Sequence, residues 1–105
     1  MTSQKGAIKR AALPRQIAYS RKFLKDYQSI NKAGRSDVGR LREFILLMAA
    51  NAGPLAPEWL DHALSGELAG FRDVHLHGDF LVLYRITGDP ETVVFERLGT
   101  HSDLF

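Results

Sequence analysis

The stretch FRDVHLHGDFLVLYRITGDPETVVFERLG, Phe71 to Gly99, decides the fold. It divides into three apolar-rich runs, FRDVHL, FLVLYRIT and TVVFERLG, separated by HGD and GDPE. β-Branched and aromatic residues fill the runs. Gly78 and the Gly88-Asp89-Pro90 triplet supply tight-turn chemistry. Three consecutive antiparallel strands are therefore predicted. In the middle run Phe80, Val82 and Tyr84 alternate with Leu81, Leu83 and Arg85, so both faces are apolar and this strand is predicted to be central.

Upstream of that sheet, Ala50 to Gly70 carries Pro54, Pro57 and several glycines and reads mostly as loop, with one helical turn around Trp59. Trp59 is expected to anchor the loop on the core, and Asp61 to act as a turn or cap residue. Tyr84 is expected in the core with its hydroxyl at a rim. Earlier still, RQIAYS (Arg15 to Ser20) follows Pro14 and reads as a short strand ending in a helix N-cap at Ser20. Phe23, Leu24, Tyr27 and Ile30 then recur at helical spacing, and Gly34 closes that helix. Ser36 or Asp37 is expected to cap a second helix, in which Val38, Leu41, Phe44, Ile45 and Met48 share one side. So short a connection makes the pair an antiparallel helical hairpin. The fold class is α+β in the order β-α-α-β-β-β. A four-stranded, mainly antiparallel sheet carries the hairpin on one face. One domain is expected over residues 14–105, preceded by a disordered basic tail at residues 1–13.

Composition agrees with a single ordinary globular domain: 105 residues, 45% hydrophobic, 25% charged and no cysteine. Without cysteine, disulfides and thiolate zinc sites are excluded. The longest apolar run, FILLMAA (Phe44 to Ala50), is far short of the ~20 residues of a membrane helix. The basic opening lacks the apolar segment of a secretory signal, so a cytoplasmic location is expected. The net charge of +2 hides an asymmetry, because eleven of the fourteen basic residues but only two of the twelve acidic ones precede Glu43. That front portion is either a solvated helical surface or a phosphate-binding face.

His75, His77 and Asp79 stand at alternate positions, and His62 and His101 lie elsewhere. A metal set is one reading of the triplet, since alternate strand positions share a face, but Gly78 turns the chain between them. Chance surface histidines are a second. Metal-free acid–base chemistry is a third. Imidazole, with a reference pKa of ~6.5, exchanges protons near neutrality. RNA cleavage by 2′-hydroxyl attack needs one group to take that proton, another to protonate the departing 5′-oxygen, and cations at the phosphate. Arg72, Arg85 and Arg97 are the spare cations on this reading. Arg97 and His101 share strand parity with Val93 and Phe95, so they would emerge on one face if that strand continued.

The segments LDHALSGELAGFRDVHLHGDFLVLY and FERLGTHSDLF resemble the YafQ branch of the RelE toxin family. The resemblance rests on Asp61-His62, Leu64, Gly66, Gly70, Phe71, Arg72-Asp73, His75, Asp79, Phe80, Tyr84 and the closing Arg97-x-Gly99-Thr100-His101-x-x-Leu104-Phe105. It is close over the C-terminal half, and the front half agrees in element order. It implies the toxin of a type II toxin–antitoxin pair, a ribosome-dependent endoribonuclease that cuts mRNA in the A site and needs no cofactor or metal. It also implies catalytic roles for His62, His75, Asp79 and His101, and RNA contacts by Arg72, Phe80, Arg97 and Phe105. Phe80 stands where tryptophan is common and is expected to keep a stacking surface. His77 matches no family position and is expected to face solvent in the turn. The implied partners are a cognate antitoxin, the ribosome with its message, and rRNA through the basic N-terminal half, with no membrane. Two alternatives remain: a binding toxin like the ParE branch, which inhibits DNA gyrase without this histidine set, and a catalytically decayed family member.

Overall fold

The computed structural model describes residues 13–34 and 38–105. The elements run β1 (Gln16–Tyr19), α1 (Arg21–Lys32), α2 (Val38–Ala50), β2 (His62–Ala63), β3 (Arg72–His77), β4 (Phe80–Thr87), β5 (Thr92–Thr100) and a final turn of helix, α3 (His101–Leu104). Short 3₁₀ turns at Pro57–Trp59 and Gly66–Leu68 punctuate the segment between α2 and β3. The strands form one sheet in the order β1-β5-β4-β3-β2, so the twice-apolar β4 is the central strand, as its alternation predicts.

The sheet has five strands rather than four. The extra one is His62–Ala63, which pairs antiparallel with Asp73 and Arg72 of β3. Two residues are too few to carry an alternating pattern, so the segment reads as loop until β3 offers an open edge. β1 runs parallel to β5, with Gln16 opposite Thr92 and Tyr19 opposite Phe95, and all other pairings are antiparallel.

Local chemistry sets the helix ends. The Ser20 hydroxyl accepts the Phe23 N–H at 2.9 Å, an N-cap bond of about 1 kcal/mol. At the other end Gly34 adopts φ +74°, the left-handed conformation that closes α1. The caps expected at Ser36 or Asp37, and the tail expected at residues 1–12, lie outside the described residues. Leu13, the first described residue, is exposed, and its carbonyl accepts from Asn51 Nδ2 at 2.9 Å.

The core lies between the hairpin and one face of the sheet. Phe23 and Ile30 of α1 and Leu41, Phe44 and Met48 of α2 pack on Val74, Leu76, Val82, Tyr84, Val93 and Phe95. Phe44 sits at its centre, with ring centroids 5.4 Å from Trp59, 5.4 Å from Tyr84 and 5.9 Å from Phe95. Trp59 anchors its loop as expected, with the Arg40 guanidinium 3.7 Å above its ring. Leu24, on the helical stripe in sequence, is instead half exposed, lining an open groove with Tyr27 and Ile45.

Two irregularities shape the part of the sheet that carries His75 and leads to His101. The β3–β4 register shifts between His75 and His77, and the β4–β5 register shifts where Leu83 opposite Arg97 gives way to Tyr84 opposite Phe95. The second shift leaves Glu96 as the extra residue and breaks the parity expected to join Arg97 to Val93 and Phe95. β5 then stops at Thr100, so His101 belongs to a helical turn and not to an extended strand. A Cβ on Gly99 would lie 3.0 Å from the Asp103 side chain, so glycine is what lets α3 fold back on β5.

Candidate active site

Strand alternation divides β3. Val74 and Leu76 face the hairpin, whereas Asp73 and His75 face the opposite side of the sheet. There the three histidine rings form a row, His62 to His75 with centroids 6.5 Å apart and His75 to His101 with centroids 6.5 Å apart. The elements responsible are distant in sequence: β2 brings His62, β3 brings His75, and the β4–β5 pairing brings the turn before β4 to the start of α3. The row is open to solvent, with the His62 side chain 54% and the His101 side chain 57% exposed.

All three rings are oriented through the same atom. His62 Nδ1 lies 2.8 Å from the Leu60 carbonyl oxygen, His75 Nδ1 lies 3.1 Å from the Gly78 carbonyl oxygen, and His101 Nδ1 lies 3.2 Å from Asp79 Oδ1. Carbonyl and carboxylate oxygens only accept, so Nδ1 carries a hydrogen in each ring. Nε2 is left as the free nitrogen, three times over. Asp79 also accepts the His101 backbone N–H at 3.2 Å, and the Thr100–Asp103 capping box fixes the helical turn beneath. Phe105 completes this end, its ring 5.2 Å from that of His101 and half exposed.

Asp73 is the buried charged residue among the described residues, 2% exposed. Its Oδ1 lies 3.2 Å from His62 Nδ1, within ion-pair reach, yet no hydrogen bond is aligned on that oxygen. Leu60 explains the geometry in part, since its left-handed backbone (φ 53°) turns the carbonyl onto the ring just ahead of it.

The arginines expected to be spare are all paired. Asp61 takes Arg72 through Nε at 3.2 Å and Nη2 at 3.0 Å, on the hairpin side of β3 and not beside His75. Arg85 Nε donates to Glu96 at 2.8 Å. Arg97 donates to Asp26 of α1 from Nε at 2.8 Å and Nη2 at 3.1 Å, and Asp26 also takes the Leu98 N–H at 2.9 Å. The hydrogen bond to Asp61 raises the Arg72 pKa, and that to Asp26 raises the Arg97 pKa, so both cations are reinforced but already engaged. Asp61 is thus a clamp on Arg72, not a cap. It also accepts from the Tyr84 hydroxyl, and burial first, then this carboxylate, pushes the phenol above its ordinary range.

Phe80 does not keep the stacking surface expected of it. It is 7% exposed and packs in the core with Val82 and Tyr84, because its place in β4 turns it toward the hairpin. His77 is exposed at the end of β3, as expected of a turn residue, with its ring 6.3 Å from Phe80. Among the described residues, no group of three or more His, Asp or Glu side chains is placed to hold a metal ion; the register shift after His75 separates the triplet that suggested one.

Sequence reasoning names Asp73 in the family pattern without giving it a role, and passes over Asp26. Each had a signal. Asp73 shares strand parity with His75, and Asp26 lies three residues after Phe23 and four before Ile30, on the buried stripe of an otherwise basic helix.

A mainly antiparallel sheet with a helical hairpin packed on one face is the RelE/YafQ-like architecture of small toxins. Residues 15–105 match the family of bacterial YafQ toxins of type II toxin–antitoxin systems, and the chain belongs to that family. It is 34% identical over 93 residues to the mRNA interferase toxin YafQ of Escherichia coli K12, an alignment covering 89% of this chain and 98% of that one. The toxin in the E. coli DinJ–YafQ toxin–antitoxin complex superposes with a TM-score of 0.78 at 33% identity, over 89% of this chain and 99% of that one. A metal-bound toxin from Helicobacter pylori superposes with a TM-score of 0.77 at 40% identity, over 87% of this chain and 99% of that one.

Proposed function

We propose that this toxin is a ribosome-dependent mRNA endoribonuclease working by metal-independent acid–base catalysis. The observation that carries the reading is the histidine row, in which every ring turns Nδ1 inward and leaves Nε2 free on an open face. An acid and a base bracketing a phosphodiester each reach about 3 Å to their oxygen, which suits imidazoles spaced 6.5 Å between centroids. One Nε2 takes the 2′-hydroxyl proton, the 2′-oxygen attacks phosphorus, the P–O5′ bond breaks, and a protonated imidazole returns a proton to O5′. His101, carried by Asp79, is proposed as the acid, and His62 or His75 as the base. Phe105 offers a half-exposed ring to a base of the message, by stacking. With Arg72 and Arg97 engaged by carboxylates, cationic help at the phosphate comes from the protonated imidazole that acts as the acid.

The ribosome and its RNA are the proposed partners of the basic hairpin, and a cognate antitoxin is proposed as its natural inhibitor. An apolar groove of about 360 Å³ between α1 and α2, lined by Tyr19, Phe23, Leu24, Tyr27, Ile45 and Arg42 among others, suits an acidic amphipathic segment. No helix among the described residues is long and apolar enough to cross a membrane.

The test is cutting of message bound to purified ribosomes, run beside naked message and a gyrase supercoiling assay. Cleavage confined to the ribosome-bound message, retained in EDTA and reduced ~10²- to 10⁴-fold by His101→Ala, is expected. Inhibited supercoiling with intact message would show a binding toxin instead.

A further inference from the structure

The buried carboxylate of Asp73 has no explanation in stability. An ionised group out of water costs several kcal/mol unless its oxygens are satisfied, and Oδ1 of Asp73 lacks an aligned hydrogen bond while 2% of the residue is exposed. A buried group left in that state calls for an explanation. What this oxygen does face is His62 Nδ1, at 3.2 Å.

We propose that Asp73 is the positioning residue of His62, a buried negative charge that acts on the ring when it becomes charged. The proposal rests on the acid–base reading of the row. In the resting ring the Nδ1 hydrogen points at the Leu60 carbonyl, 2.8 Å away, and the neutral imidazole gains little from a carboxylate to which it is poorly aligned. As Nε2 takes the 2′-hydroxyl proton, the ring acquires a full positive charge beside a carboxylate that water does not screen. The attraction is then much greater than before the transfer. An interaction stronger in the transition state than in the ground state raises kcat and leaves KM alone. Leu60 and Asp73 have different tasks on this account: the carbonyl sets the tautomer, and the carboxylate answers the charge.

The arrangement also distinguishes the two candidate bases. His75 Nδ1 has the Gly78 carbonyl, 3.1 Å away, at the corresponding place. Of the two candidate bases, only His62 is backed by a buried negative charge.

The experiment is Asp73→Asn, which keeps size and shape and removes the charge. Cutting of ribosome-bound message is expected to fall about ten- to a hundredfold, the scale seen when the carboxylate behind a functional imidazole is lost, in kcat with KM unchanged. The melting temperature is expected to hold or rise, because a costly buried charge has gone. In parallel, ring ¹⁵N spectra across a pH titration read the protonation of each histidine directly. The His62 titration is expected to move on substitution, with His75 and His101 unmoved. An unchanged His62 titration would overturn the proposal, and so would a lower melting temperature with proportionate loss of folded protein. Should Asp73→Asn fail to fold, the wild-type spectra still decide, since a His62 ring carrying its hydrogen on Nε2 contradicts the orientation the proposal needs. If the wild type cuts no message, the nuclease reading fails, and the titration still reports whether Asp73 acts on His62.

Discussion

Two aspartate–histidine pairs stand at opposite ends of the row, each with 3.2 Å between Nδ1 and a carboxylate oxygen, and they are built in opposite ways. Asp79 is 59% exposed in its side chain, whereas that of Asp73 is 3% exposed. At the open end water screens the pair, and the carboxylate orients His101 by hydrogen bonding. At the closed end the carboxylate is shut off from solvent, and the His62 ring is what its Oδ1 faces. Equal distances therefore carry different physics, and the difference comes from which strand supplies the acid. Asp79 lies in the turn that Gly78 opens, and Asp73 lies inside β3, covered by the β2 edge.

The sharpest way to break this comparison is Asp79→Ala. Cutting is expected to fall by about a hundredfold, the lower range for a group acting in acid–base chemistry. The melting temperature should move little, because an exposed ion pair contributes roughly 0–1 kcal/mol. Calorimetry alongside the cleavage assay checks both. A large fall in stability would mean that the open pair is structural and the contrast with Asp73 false.

A third carboxylate gives a smaller effect of known sign. Asp61 holds the buried Tyr84 hydroxyl, whose pKa is raised by burial and then by Asp61. A raised value in the folded state gives stability that is complete below the unfolded tyrosine value of ~10 and is lost as pH rises through the folded value. Urea midpoints measured from pH 8 to pH 11 should therefore decline at the alkaline end, and less steeply in Tyr84→Phe. An equal decline in both proteins would remove Tyr84 as its source.

The fold was legible where local pattern and tertiary demand agree. The double alternation of Phe80 to Arg85 marks a strand with neighbours on both sides, and Ser20 and Gly34 mark the ends of α1. The histidine row was legible only through spacing shared with a family, since nothing in composition brings His62 to His75. A register shift accounts for one misreading. A one-residue slip turns a side chain to the other face, so the parity drawn from Val93 to Arg97 and His101 fails at Glu96. The arginines looked spare because charge counts carry no geometry: Asp26 and Asp61 are distant from Arg97 and Arg72 in the chain and adjacent in the fold. Phe80 was read as a stacking ring by position, although its own alternation with Val82 and Tyr84 already assigned it to the core.

The central claim is that imidazoles on this face move the proton of a ribose hydroxyl, and a single atom tests it. Ribosomes are programmed with a message carrying 2′-deoxyribose only at the scissile nucleotide, and both binding and cutting are measured. The toxin is predicted to bind this message as it binds the all-ribose one and to leave it intact at that position; continued cutting there would contradict the mechanism.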